Sequence, residues 1–426
     1  MTRPLPLLPT LLPSRLPALL PTLLLAAAAA ASAQTSPWYV GAAQTFTHES
    51  NLYRLADGAP TPAGLSKSDL ISSTALLAGL DQPIGRQRLY GSATLRANRF
   101  ADNQDLNNEG YALRAGLGWE TVNRLSGTLE ASAERSLALF DTDTEIGLQT
   151  TRNIEDNTRL FAEARLGVVT AYTAEVSLEH RERRFSSSAY DRRENRQTTA
   201  TAGLRWRPLA GTTLGVGLRH TDGRYPRFLA LESGGFEADR YTRDGLDLVG
   251  GWESGGATRL DARVTLGRTR YDRNDARDTS GATGFVAGTW RPGGRLSLTA
   301  RLARDVGQDA YFSGNPFIDG LVDTSRTTTT TRVAADYGLS AKLRLRAALS
   351  HARRDLVQTL PPSAFFPGDV RGNDDTTELS LGATWEPTRS LVFGCDLGRE
   401  KRSASGDLSL PYGNNRASCY GQVFLR

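Results

Sequence analysis

The sequence lacks the features that mark helical membrane proteins and most enzymes. After Ala33 it contains no run of about 18 apolar residues, which a transmembrane helix would require. It has one Met, two Cys and four widely separated His, and none of the His begins a metal-binding cluster. It also has no Gly-x-Ser-x-Gly elbow, phosphate-binding loop or Cys-x-x-Cys pair. We therefore expect no enzyme, no cofactor and no metal site; a hydrolase whose triad meets only in space is a minor alternative.

The charge balance argues against a nucleic-acid-binding protein. There are 51 Lys and Arg against 46 Asp and Glu, and these charges are interleaved along the chain rather than gathered on one basic face. Only 39% of the residues are hydrophobic, and 42 are Gly. In a long chain this composition is typical of a repeat protein, a disordered protein or a barrel with a polar interior, and periodicity must decide among them.

The N-terminal segment is typical of a secretory signal peptide. Arg3 and Arg15 carry its only charges, residues 16–30 are mainly apolar, and Ala31-Ser32-Ala33 is a small-x-small cleavage site. We expect residues 1–33 to be the signal peptide, cleaved after Ala33, and residues 34–426 to form one domain.

Beyond residue 68 the chain repeats one unit about every 40 residues. Each unit has an alternating segment, a tight turn, a second alternating segment and a longer polar stretch. In 342–349, for example, Lys, Arg, Arg and Ala alternate with Leu, Leu, Ala and Leu, and 295–302 follows the same pattern. A period of two places these sets on opposite faces of a strand. The tight turns are predicted at Asp81–Gly85, Thr121–Asn123, Val168–Ala171, Pro208–Gly211, Ser254–Gly256, Arg291–Gly294, Leu339–Ala341 and Glu386–Thr388.

Eight hairpins, one strand beginning at Trp38 and one ending at Leu425 give eighteen strands. The predicted fold class is all-β: a transmembrane antiparallel up-and-down β-barrel with short periplasmic turns and longer extracellular loops. Apolar residues face lipid and polar residues face the lumen, as in the outer membrane of Gram-negative bacteria. Closure removes the unpaired strand edges that lipid cannot satisfy.

The large aromatic residues support this arrangement. Trp38 opens the first strand, and the other five Trp and one Tyr stand near tight turns, at the ends of descending strands. All are expected on the apolar face at one height, as a periplasmic aromatic girdle. A soluble sandwich, the alternative, has no reason to place every Trp at one edge. The girdle residues are Trp38, Trp119, Trp206, Trp252, Trp290, Tyr337 and Trp385.

The opposite face of the strands carries the functional signal, because it lines the lumen. Ladders of opposite charge between neighbouring strands account for most of its charged residues, and a modest arginine excess would favour anions. The arginines expected along the substrate path are Arg88, Arg96, Arg114, Arg263, Arg301, Arg344 and Arg346.

The remaining features lie in or beside the outer loops. Cys395 and Cys419 flank the last loop on consecutive strands, where they either form a disulfide or remain two free thiols. Acidic runs at 141–145 and 373–375 fit either calcium ligands or solvated loop tips, and we expect the second. Apolar loops at 311–317 and 361–366 fit inward loop packing, or platforms for sugar rings.

The segment 48–55 (HESNLYRL) and the block 68–100, which includes 80–88 (LDQPIGRQR), resemble the outer-membrane β-barrel proteins of Gram-negative exopolysaccharide biosynthesis operons. The close likeness covers about the first 100 residues after the signal peptide. It implies export of a secreted polysaccharide, with outer-membrane lipid, the polymer and periplasmic or inner-membrane synthesis and export components as partners. The strand number is also similar to that of the alginate exporter. A general or anion-preferring porin for small solutes is the alternative.

Overall fold

The computed structural model describes residues 36–122, 124–140, 149–168, 170–273, 278–312, 321–359 and 370–425. Two short 3₁₀ helices lie in these ranges, Gln104–Leu106 and Ser188–Arg193, and none of the described helices is long and apolar enough to cross a membrane. The strands are β1 (Trp38–Glu49), β2 (Asp69–Ile84), β3 (Gln87–Phe100), β4 (Asn108–Glu120), β5 (Leu125–Leu137), β6 (Ile154–Leu166), β7 (Tyr172–Phe185), β8 (Asn195–Trp206), β9 (Thr212–Ala230), β10 (Phe236–Ser254), β11 (Thr258–Tyr271), β12 (Thr279–Gly293), β13 (Leu296–Phe312), β14 (Leu321–Gly338), β15 (Leu343–Thr359), β16 (Val370–Thr388), β17 (Leu391–Ser405) and β18 (Tyr412–Leu425).

These strands form one closed antiparallel barrel, which confirms the predicted fold class. Each strand pairs with its neighbours in sequence, and β1 pairs with both β2 and β18. At the closing seam Val40 lies opposite Leu425 and Glu49 lies opposite Arg416. Because the first and last strands pair, the barrel has no open edge, and every strand has a partner on both sides.

The connections are short at one end of the barrel and longer at the other. Most predicted turns lie where the sequence places them, but three predictions were wrong by a few residues. Residues 81–84 belong to β2, and the turn is Gly85–Arg86, where Gly85 has a φ of +62°. Residues 291–293 and 386–388 continue β12 and β16 through irregular register. Each of these three segments contains a Pro, which a sheet tolerates at its margins and at bulges as well as in a turn.

The two faces of the wall differ in chemistry. Apolar side chains that point away from the barrel are widely exposed, for example Leu76 (61%), Leu218 (69%) and Leu397 (61%). The alternating positions point inward and are mainly polar or charged. A water-soluble protein would bury such a continuous apolar outer surface, whereas lipid solvates it. The arrangement is that of a membrane-spanning barrel.

Glycines on the inner face accommodate tyrosine rings from neighbouring strands. The ring of Tyr39 lies over Gly79, and the ring of Tyr90 lies over Gly116. A Cβ atom at either glycine would collide with the ring, so a larger residue would displace the tyrosine. This packing explains part of the high glycine content, because a glycine in a strand lets a neighbouring group approach closely.

Candidate pore lining and outer mouth

All seven arginines predicted along the substrate path occupy inward positions. Each alternates with residues whose side chains point outward; Arg346, for example, lies between Leu345 and Ala347 on β15. The structure therefore brings these arginines to one continuous inner wall, although they come from strands distributed around the whole barrel.

A ladder of ion pairs crosses the inner wall from β3 to β7. Glu130 of β5 accepts hydrogen bonds from Arg114 (Nη2–Oε2 2.5 Å) and Arg159 (Nη1–Oε1 2.9 Å). The Tyr90 hydroxyl donates to the same carboxylate at 3.0 Å. Arg159 also reaches Glu179 of β7 at 2.7 Å. Each charge in this ladder has a fixed partner, so the ladder braces the wall and offers few free charges to a solute.

A second ladder continues from β7 to β11. Glu175 pairs with Arg205 at 2.6 Å, and Asp247 pairs with Arg219 at 2.6 Å. The Thr265 hydroxyl donates to Asp247 at 2.6 Å. Asp247 is only 2% exposed, and its three hydrogen bonds from Arg219 and one from Thr265 compensate for its burial.

The predicted arginines fall into two groups by their partners. Arg88 binds Asp81 at 2.5 Å, Arg114 binds Glu130, and Arg346 binds Asp336 at 2.9 Å. The others make no ion pair with any residue in the described ranges; they are Arg96, Arg263, Arg301 and Arg344. Arg301 instead lies 4.0 Å from the ring centroid of Phe285, a cation–π contact that leaves its charge uncompensated. The inner wall therefore carries both arginines held in ion pairs and arginines that no ion pair in the described ranges holds.

The connection between β1 and β2, residues 50–68, folds into the outer mouth; we call it the mouth loop. Leu52, Tyr53 and Leu55 are buried at its start and pack with Phe100 and Phe140. The rings of Tyr53 and Phe140 have centroids 4.7 Å apart. Because Phe100 points inward from β3, this apolar cluster lies on the inner side of the wall.

Polar contacts fix the mouth loop at both ends of the buried stretch. The Asn51 side chain accepts from the Leu55 backbone N–H at 2.9 Å and donates to the Leu55 carbonyl at 2.8 Å. Tyr53 donates its hydroxyl to Asn103 Oδ1 at 3.0 Å, and Asn103 is in turn held by Asp69. Burial, with the charges of Asp69 and Asp105, raises the pKa of the Tyr53 phenol to about 12. The phenol therefore stays a donor far above neutral pH.

An ion pair fastens the mouth loop to the opposite side of the seam. Arg54, 8% exposed, reaches Glu400 of β17 at 3.4 Å and donates to the Leu52 carbonyl at 3.1 Å. Tyr412 of β18 donates its hydroxyl to the same carboxylate. The backbone of Arg54 has a φ of +53°, which is unfavourable for any residue other than glycine. These contacts therefore hold a strained backbone conformation. The loop thus spans the inner surface from β17 to β5.

A second connection narrows the mouth from the other side. The 3₁₀ helix Ser188–Arg193, between β7 and β8, buries Tyr190 against Phe185, with ring centroids 5.2 Å apart. Its backbone approaches β13, five strands away around the barrel. Because a straight path between these strands crosses the interior, this helix covers part of the opening.

The predicted aromatic girdle lies on the outward face at the end with the short turns. Six of its members are at least 39% exposed, and Trp119 is partly buried in an outward groove described below.

Cys395 and Cys419 are directly opposite each other, and the structure joins them in a disulfide with a Cα–Cα distance of 4.1 Å. Both cysteines face outward, toward lipid.

Several sequence expectations concern other loop residues. The acidic run 141–145 and most of the apolar loops at 311–317 and 361–366 lie outside the described residues, as does the predicted signal peptide. The expectation of a solvated tip at 373–375 was wrong. Asp374 is fully buried in β16, where Arg354 binds both of its carboxylate oxygens. Alternation along the strand could predict that Asp374 points inward, but it could not predict that Arg354 is its partner.

The sequence does not predict that the mouth loop folds inward, although segment 48–55 at its start is one of the segments that carry the family resemblance. The signal was three large apolar or aromatic residues, Leu52, Tyr53 and Leu55, in a segment that had to connect two strands at the outer end. The contacts that fold it inward join residues far apart in the sequence, from Tyr53 with Asn103, 50 positions away, to Arg54 with Glu400, 346 positions away. Within the described ranges, no group of three or more His, Cys, Asp or Glu could hold a metal ion.

No family model matches the sequence, and no curated protein matches it. The fold is similar to that of OccK1 (OpdK) of Pseudomonas aeruginosa, with a TM-score of 0.45 and 12% identity over 91% of this chain and 99% of that chain. OccK3 (OpdO) of the same organism gives 0.44 and 13% over 91% and 96%. A bacterial polysaccharide outer membrane secretin gives 0.32 and 12% over 90% and 98%. Likeness at this level says nothing about what the present barrel carries.

Proposed function

We propose that this chain is an outer-membrane channel that exports a secreted exopolysaccharide. The observation that carries the proposal is the inner wall: ladders of paired charges, with hydroxyl-bearing and amide side chains between them, line the barrel from β3 to β11. A hydrated polymer can exchange hydrogen bonds along such a wall without a deep binding site. The resemblance of segments 48–55 and 68–100 to barrels of exopolysaccharide operons supplies the substrate class.

The channel would act as a passive conduit in this proposal. The chain has no nucleotide-binding motif, so the driving force would come from polymer synthesis and from partners in the inner membrane and periplasm. The four inner arginines without ion pairs would draw an acidic polymer toward the wall.

The test is a strain that lacks this chain. Export predicts that secreted polymer is lost, that polymer accumulates in the periplasm, and that supplying the gene restores secretion. Unchanged secretion would contradict the proposal. As a control, secretion of an unrelated outer-membrane protein should be unaffected, which separates a channel defect from general envelope damage.

A porin for small anions is the second candidate, favoured specifically by Arg96, Arg263, Arg301 and Arg344. Arginine side chains that face the lumen without an ion pair would select anions whether or not a polymer passes. Normal polymer secretion together with reduced uptake of small anions in the deletion strain would support the porin over the exporter.

A further inference from the structure

Three arginines stand side by side on the outward face near the outer end of the barrel. Arg196 of β8 lies opposite Arg224 of β9, and Arg224 lies opposite Arg240 of β10. All three side chains are exposed. We call this set the arginine row. Like charges directly opposite each other on neighbouring strands destabilise a sheet. The row therefore lowers the folding stability unless an internal partner or a ligand offsets the repulsion.

In the described part of the chain, one member of the row, Arg196, forms an ion pair. Arg196 binds Glu182 at 2.5 Å, and Glu182 is shared with Arg184 at 2.7 Å. The side chains of Arg224 and Arg240 make no ion pair or hydrogen bond with the described part of the chain. Two neighbouring guanidinium groups therefore lie exposed without an ion pair, although Asp222 on β9 and Asp272 beyond β11 stand on the same face. Each guanidinium can present a planar set of donors to an anion.

The height of the arginine row places it at a membrane boundary. On β8, Arg196 is ten residues from Trp206 of the girdle. At a rise of about 3.4 Å per residue and a tilt near 40°, this separation is about 25 Å along the membrane normal, the height of the apolar band of such barrels. The row thus faces the headgroups of the leaflet opposite the girdle, which here is the outer leaflet.

Directly below the row, the outward surface is concave. A groove of about 1270 Å³ runs over β4 to β12, and its apolar lining includes Val176, Leu178, Ala202, Leu218, Leu246 and Ala282. His220, Asp244 and Arg268 stand at its outer end, between the lining and the arginine row. The groove lies within the band that acyl chains solvate, and small residues on three strands make it deep enough to seat a chain.

We infer that this surface binds a phosphate-bearing lipid of the outer leaflet, with phosphate on Arg224 and Arg240 and acyl chain in the groove. Both halves of such a lipid find complementary surface: an anion beside two arginines that have no ion pair in the described part of the chain, and hydrocarbon beside apolar side chains. A second copy related by two-fold symmetry is a poorer occupant, because it would bring two arginine rows together. The inference depends on the membrane-spanning fold and not on what the pore carries.

The test uses the full chain refolded in a neutral detergent, with bisphosphorylated lipid A as the probe. Retained lipid is counted by native mass spectrometry, and thermal unfolding is followed in parallel. The test variant combines Arg224→Gln with Arg240→Gln. The matched control combines Arg86→Gln with Arg389→Gln, which removes the same charge at the short turns of the opposite end. Loss of two charge-assisted contacts should weaken retention at least about tenfold in the test variant and leave it unchanged in the control.

Unfolding without lipid separates a ligand site from a structural one. In detergent alone, the test variant should unfold at the same temperature as wild type or higher, because like-charge repulsion is relieved; added lipid A should raise the wild-type temperature more. Equal retention by wild type and variant would overturn the inference. So would an equal thermal shift with inorganic phosphate alone, which would identify a free-phosphate site, or a wild-type dimer lost in the variant, which would identify a protein contact.

The groove is tested separately, so that the inference does not depend on one variant. Ala202→Phe fills the groove, whereas Ala383→Phe adds the same ring to an exposed outward position on β16, outside it. Lipid A retention should fall several-fold for Ala202→Phe only. Equal behaviour of the two variants would overturn the seating of an acyl chain in the groove.

Discussion

At the scale of single residues, Arg54 decides whether the mouth loop stays folded inward. Its guanidinium group is nearly buried, and Glu400 is its carboxylate partner at 3.4 Å. We expect Glu400→Gln to cost about 3 kcal/mol of loop stability, because removal of one partner leaves a buried charge uncompensated. The loop should then be cleaved faster by a protease near Gly58 and Gly64, and single-channel conductance in a planar bilayer should rise.

A second ion pair provides the control for this variant. Arg88 and Asp81 are about half exposed and lie at the short-turn end of the barrel. Solvent screens such a pair, and it lies at the end of the barrel away from the mouth loop, so Asp81→Asn should not change loop cleavage by a measurable amount. If Glu400→Gln behaved like Asp81→Asn, the Arg54 contact would not hold the loop.

Tyr53 gives the mouth loop a dependence on alkaline pH. Because burial raises its folded-state pKa from about 10 to about 12, its contribution is complete below pH 10 and is lost as the pH rises toward and through 12. The conductance of the wild type should therefore increase over this range. Tyr53→Phe cannot ionise or donate to Asn103, so it should remove this part of the pH dependence. An unchanged conductance profile in the variant would assign the effect to another tyrosine.

At the scale of strands, alternation together with the spacing of the tight turns was enough to predict the barrel. Lipid on one side and water on the other impose a period of two on every strand, so the eighteen strands and the inward arginines could be predicted from sequence. Turn positions were less certain, because a Pro such as Pro292 or Pro387 fits a turn and an irregular strand end equally well. Partners such as Arg354 for Asp374 depend on register between strands, which alternation within one strand does not reveal.

An arginine introduced on β16 should have different effects on stability according to the face of the strand that carries it. Leu381 is 50% exposed toward lipid, four residues from Trp385, which places it near the middle of the apolar band. Leu381→Arg should destabilise the barrel by about 2–4 kcal/mol. Ser380→Arg points into the lumen near Glu378 and Gly382, and should have little effect. Urea unfolding in lipid vesicles, followed by tryptophan fluorescence, measures both. Similar losses for the two variants would contradict the assignment of the faces.

At the scale of the whole molecule, the inner wall combines charged side chains that form ion pairs with arginines that form none in the described part of the chain. The charged side chains of the ladders from β3 to β11 form ion pairs with each other, and Arg346 forms an ion pair with Asp336. Arg344 faces the lumen without an ion pair in the described part of the chain. Selectivity should therefore depend on a few arginines rather than on the total number. This division was not readable from sequence, because it depends on which carboxylates lie within reach across the strands.

Charge reversal at two of these positions tests the division directly. Arg344→Glu with Arg346→Glu should lower the anion-to-cation permeability ratio by roughly twofold or more, because fixed charges that face a pore set the sign of the favoured ion. The measurement is the reversal potential under a salt gradient in a planar bilayer. Arg353→Glu is the matched control on the same strand, since Arg353 is exposed on the outward face, where its charge does not line the pore. If both variants gave the wild-type ratio, the arginines would not lie along the ion path; if Arg353→Glu alone changed it, the faces of β15 would be reversed.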